Sequence, residues 1–270
     1  MGGVDASLVE IAENSDIYWV GQAPATLVHV FNLFGRPGKS VVAPKLRQRS
    51  SAATAVNVNR VALAELTPVT SRYLGQATCL QLLNFEILTS LIATSPTLEN
   101  KTALAQVAAL SLQKYEGLVA EIETAGGTAA GYMEPFAPRI ETFQQATRGG
   151  DWYEGLVTSY VTAGILDDFF IALAEGLPDG PAARIRSLLS GNEGSRIIVE
   201  QLSASTATNP RLASRLALWG RRLVGDTLLI ARSALAVPEN QHPDEARLEP
   251  VFTELIAAHT RRMDDLGLTA

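Results

Sequence analysis

An all-α four-helix bundle with a long crossover, two additional C-terminal helices and an extended N-terminal arm is the fold this sequence predicts. Three observations carry it. From Pro68 onward, apolar residues recur at helical spacing in one segment after another, divided by Pro, Gly and capping residues. The stretch from Leu74 to Gly127 reads as a helical hairpin broken at Ser95-Pro96-Thr97. The connection after it, with Gly131, Pro135, Pro138, Gly149 and Gly150, is long for a hairpin and lets the next helix run parallel to its predecessor.

The elements follow in order. The first 66 residues are rich in Gly, Pro, Ser, Ala, Asn and Val and lack helical periodicity, so they read as an arm, with residues 67–270 forming the helical domain. Within the arm, Asp5 to Glu13 is expected to form a short helix and Leu27 to Phe31 has strand-like composition. Tyr18, Trp19, Val28, Phe31 and Phe34 are too apolar for a free tail and are expected to pack on the body or on a second subunit, as in a homodimer.

Pro68 to Thr94 is the first helix of the body. Thr97 to Ala125 is the second, with Thr97 as N-cap, Gly126-Gly127 as stop and a stripe of Leu104, Ala108, Leu112, Tyr115, Val119 and Ile122 to bury. A short helix is expected around Arg139 to Ala146. Asp151 caps a third helix ending near Gly176, and a fourth covers roughly Pro181 to Ser205. Asn209-Pro210 opens a fifth to about Leu235, and Pro243 to Leu266 forms the sixth.

Composition narrows the function classes. A chain of 270 residues, 47% apolar and with formal charge -6, does not read as one that coats nucleic acid or acidic membrane with its whole surface. A single cysteine, Cys79, rules out an internal disulfide or a zinc ribbon and suits a cytoplasmic location. The uncharged run Ile17 to Gly35 is broken by Gly21, Pro24, His29 and Asn32, so it reads as neither a signal peptide nor a spanning helix, and no membrane is expected. Gly35-Arg36-Pro37-Gly38-Lys39-Ser40 ends like a phosphate loop, but it lacks the first Gly of that motif and a helix after Ser40. Arg36, Lys39, Lys45, Arg47 and Arg49 form an acid-free basic run that reads as a solvated linker, with RNA contact as the alternative.

Three carboxylates, Glu86, Asp167 and Asp226, fall among apolar helical neighbours. A buried carboxylate needs a metal, a cation, hydrogen bonds or a proton, because isolated burial costs several kcal/mol. An internal ion pair and a metal or acid–base site are the competing readings. The histidines, His29, His242 and His259, lie outside the four central helices and read as surface or packing residues.

Helix order, the long crossover, Glu86 and the Gly126-Gly127 stop together resemble the ferritin-like superfamily. The nearest part of it is the branch of di-iron tRNA hydroxylases and the uncharacterised actinobacterial ferritin-like proteins beside them. The resemblance covers about Pro68 to Ser205 and continues loosely to Leu235. It implies a Glu on the first helix, ExxH on the second, an acid on the third and ExxH on the fourth. Glu86 fits the first and Asp167 the third. The second motif falls on Ser111 and Lys114, and the fourth on Glu193 and Arg196, so a basic side chain stands at each imidazole position. The expectation is a degenerate di-metal site with no metal, cofactor or catalytic residue, in a non-enzymatic module that binds a small molecule or a protein. The alternative is a di-iron hydroxylase, a monooxygenase acting on a modified tRNA base or a small molecule. If Lys114 replaces a metal-binding His, its ammonium is expected to reach Glu86, with Asp167 as second carboxylate.

Overall fold

The computed structural model describes residues 64–235 and 245–269. The predicted arm up to residue 63, its basic run Arg36, Lys39, Lys45, Arg47 and Arg49, its apolar residues Tyr18, Trp19, Val28, Phe31 and Phe34, and the histidines His29 and His242 lie outside the described residues. Those described form α-helices with no strand among them: α1 (Thr70–Thr94), α2 (Leu98–Thr124), α3 (Ala129–Met133), α4 (Ala137–Ala146), α5 (Trp152–Leu173), α6 (Asp179–Leu189), α7 (Glu193–Thr208), α8 (Pro210–Arg232) and α9 (Glu245–Asp265).

Local chemistry sets several of the ends. The Thr97 side chain accepts from Asn100 N at 3.1 Å, that of Asp151 from Glu154 N at 3.0 Å, and that of Asn209 from Leu212 N at 3.1 Å. At the end of α2, Gly126 turns left-handed with φ 79°, and Gly127 N donates back to Ile122 O at 3.0 Å while Gly126 N donates to Glu123 O at 2.9 Å. These two bonds form the Schellman stop that a glycine makes cheap.

The antiparallel pair α1–α2 packs against α5 and against α6 and α7, which make up the bundle. The predicted fourth helix is therefore two helices: the chain breaks at Ser190-Gly191-Asn192 and restarts at Glu193. The buried stripe of α2 also departs from the predicted one. Leu104, Ala108 and Ile122 are buried as expected, but between them the line runs through Ser111 and Leu118, while Leu112, Tyr115 and Val119 are half-buried. The stripe is thus rotated by one residue, about 100°, over the middle of the helix, which turns Ser111 inward.

The apolar interior forms two clusters. One joins the first half of α1, the second half of α2, the C-terminal part of α5 and α6. The other joins the remaining halves of α1, α2 and α5 with α7 and the first part of α8. By length and composition, Thr70–Thr94 and Trp152–Gly176 would suffice to span a membrane. Both line these clusters, where Tyr73 OH donates to Phe170 O at 2.7 Å and Gln76 Nε2 to Ile230 O at 3.2 Å. Close approach is bought by glycine at Gly75, where a Cβ would collide with the Tyr132 carbonyl.

The two C-terminal helices cover α5: α8 packs along it and α9 closes over α5 and α8. The guanidinium of Arg262 pairs with Asp168 and lies in a notch that exists because Gly164 has no side chain. Tyr160 OH donates to Arg262 O at 3.3 Å. One turn earlier, His259 is 3% exposed and neither ring nitrogen has a hydrogen-bond partner. Of the two roles expected for it, surface or packing, it takes the second: α9 turns it inward. Burial, and secondarily the charge of Arg262, lower its pKa.

A lowered folded-state pKa means that the unfolded chain takes up the proton first as pH falls below about 6.5, so folded stability drops on the acid side of that value. We predict that the urea midpoint falls between about pH 7.5 and 5.5, with a slope from this group of at most ~1.4 kcal/mol per pH unit. His259→Leu should flatten that fall. A variant that keeps the full acid-side loss would assign the proton elsewhere.

Candidate functional site

Between the two apolar clusters lies a polar layer contributed by α1, α2 and α5. Lys114 on α2 donates from Nζ to Asp167 Oδ2 on α5 at 2.6 Å, to Leu189 O at 3.1 Å and to Gly191 O at 3.4 Å. The last two are carbonyls at the break between α6 and α7, where a helix end leaves acceptors without intrahelical partners. The other carboxylate oxygen, Asp167 Oδ1, accepts from Gln81 Nε2 at 2.7 Å. Both ions are mostly covered, with side chains 17% and 14% exposed. Burial raises the Asp167 pKa above its ordinary value, and the Lys114 ammonium and the Gln81 amide pull it back down only in part.

A second set of bonds adjoins the pair. Ser159 Oγ on α5 donates to Asn84 Oδ1 at 2.7 Å, and Asn84 Nδ2 on α1 donates to Ser111 Oγ on α2 at 3.1 Å. Ser111 is 5% exposed and Ser159 1%. Both sets border a cavity of about 420 Å³ whose opposite side is the break itself and the first turn of α7. Its volume falls within the range of small-molecule sites.

The structure places Ser111, Lys114 and Asp167 around one cavity and separates Glu86 from them. Glu86 is exposed, at the edge of a different cavity between α1 and the crossover before α5. The inner line of α1 runs through Gln81, Asn84 and Leu88, and Glu86 stands two residues, about 200°, away from Asn84. Asp226 is half-buried on α8 and does not join the layer. On α7, Glu193 is exposed at the cavity edge, while Arg196 faces outward and pairs with Glu200 at 2.6 Å. The residues three apart that line the cavity are Ser195 and Ile198, because the helix restarts after the break with its own register.

Gln81, Asn84 and Ser159 were not anticipated as site residues. Their signal is faint: polar side chains among apolar neighbours at positions three and four apart, without charge to draw notice. The sequence does contain one Glu-x-x-His spacing, Glu239 to His242, but it lies outside the described residues, between α8 and α9.

The donor set does not suit a di-metal centre. It offers two amides, two hydroxyls, one carboxylate and an ammonium already inside hydrogen-bond distance of that carboxylate. Among the described residues, no three His, Cys, Asp or Glu side chains group as metal ligands.

Comparison with known families matches residues 69–240 to a ferritin-fold-like family described as a ferritin-like domain of actinomycetes. No curated protein matches the chain.

The ion pair makes a stability prediction. Lys114→Ala would strand the Asp167 charge and should cost about 3–5 kcal/mol. Adding Asp167→Asn should recover part of that loss, whereas adding Glu86→Gln should recover none. Denaturant unfolding of the single and double variants measures both.

Proposed function

The chain belongs to the ferritin-like domain family of actinomycetes, and on that premise we propose that it is a binding protein. In this reading the metal layer of the fold is replaced by a polar layer of its own side chains, next to a cavity that takes a small molecule. The observation that carries it is the Lys114 ammonium held 2.6 Å from Asp167 at the centre of the bundle. A fixed internal cation does electrostatically what a bound metal would do for that carboxylate, without redox chemistry or open coordination positions.

The alternative, a di-iron hydroxylase acting on a modified tRNA base or a small molecule, would need ligands at positions that carry Ser111, Lys114, Glu193 and Arg196. Two of those four are cations at neutral pH, and two of the four, Glu193 and Arg196, are exposed. No observation favours that branch of the superfamily over the binding reading.

Elemental analysis of protein purified from cells supplied with iron and manganese tests the proposal. We expect sub-stoichiometric metal, unchanged by a chelator wash. About two equivalents of either metal per chain, the loading of a di-metal carboxylate site, would overturn it.

A further inference from the structure

Resting on that reading of the cavity, we infer that its ligand is an uncharged, mostly apolar molecule held at one end through a single hydrogen-bond acceptor, which the Ser111 hydroxyl meets. The three protons of the Lys114 ammonium go to Asp167 Oδ2, Leu189 O and Gly191 O, and the oxygens of Asp167 take Lys114 and Gln81. The two charges in the floor are therefore neutralised by each other and by the backbone. A charged ligand entering this depth would lose its hydration without a counter-ion to replace it. At the mouth, the Glu193 carboxylate adds repulsion for an anion.

The hydrogen bonds of the floor run in one direction. Ser159 gives its proton to Asn84 Oδ1, and Asn84 gives one of its amide protons to Ser111 Oγ. Ser111 thus accepts within the chain of bonds, and its own proton is the one left over, on a side chain 95% covered that borders the cavity. A buried donor without an acceptor is costly, so the natural occupant brings a carbonyl, ether or hydroxyl oxygen to it. Val107, Leu110, Leu188 and Ile198 supply an aliphatic wall; of the other polar lining residues, Gln113 and Asn192 are exposed, Ser195 is half-buried, and the Tyr160 hydroxyl is spent on Arg262 O. That combination of an apolar body with one placed polar contact is how small-molecule sites fix orientation.

The test uses the full chain and two fluorescent probes of similar ring size. Prodan is an uncharged naphthyl ketone whose emission moves to the blue in apolar surroundings, and anilinonaphthalene sulfonate is an anion. We expect saturable prodan binding that Ala163→Phe abolishes by filling the cavity. Ser111→Ala should weaken it about three- to ten-fold, the worth of one hydrogen bond, and Ser111→Thr, which keeps a hydroxyl, should restore it. Each variant is first checked for an unchanged helical spectrum and melting curve. If the sulfonate binds in the cavity, is lost in Ala163→Phe and competes prodan away, the uncharged-ligand inference is overturned while the cavity reading stands. If prodan affinity is the same in Ser111→Ala, the assigned contact is wrong. If neither probe responds to Ala163→Phe, the cavity is not a binding site and both readings fall together.

Discussion

The contact between Lys114 and Asp167 is the constraint around which the bundle is arranged. Desolvating an ammonium and a carboxylate costs several kcal/mol per ion, and attraction alone recovers that only with good geometry and with the remaining hydrogen-bonding capacity filled. Here the filling comes from four separate parts of the chain: Gln81 on α1, Lys114 on α2, Asp167 on α5, and carbonyls at the end of α6 and just beyond it. The break in the fourth bundle helix then has a physical reason. An unbroken helix would use the Leu189 and Gly191 carbonyls internally, whereas an interrupted one frees acceptors for the ammonium. The two apolar clusters are bridged by the half-buried Ile87 and Leu228, which pack against both.

The fold was largely legible because its signals are local. Thr97, Asp151 and Asn209 cap the helices they are expected to cap, and Gly126 takes the left-handed turn that sets the end of α2. The family resemblance puts its second-helix motif on Ser111 and Lys114, and both side chains border the cavity. The failures share a different character. Glu86 carries a charge among apolar neighbours in the sequence, yet helix phase is fixed by the packing of α1 against α2 and α5, and a carboxylate two positions out of phase goes to solvent. The interruption at Gly191 is not written as a Pro or a Gly pair, and it is stabilised by a side chain 77 residues earlier. No local rule reaches that far. Gln81, Asn84 and Ser159 escape for a third reason: neutral polar residues acquire meaning only once their partners are known.

The C-terminal helices extend the same logic outward. Asp167 and Asp168 are consecutive, so they face different neighbours, and each is met by its own cation: Lys114 from inside the bundle and Arg262 from the covering helix. α5 thus carries two adjacent negative charges without leaving either to solvent repulsion alone, and the absence of a side chain at Gly164 is what lets the second cation come close.

That arrangement bears on how the chain is made. Tyr160 and Arg262 are 102 residues apart in sequence, and Leu268 lies in the same apolar cluster as Leu88 and Leu104. A ribosome delivers these partners in order, at about 5–20 residues per second. α5, already synthesised, must wait several seconds for the helix that shields Asp168 and the apolar face beneath Met263. Until then the most hydrophobic helix of the bundle has an uncovered side, the kind of transiently exposed apolar surface that makes an incomplete chain prone to aggregate.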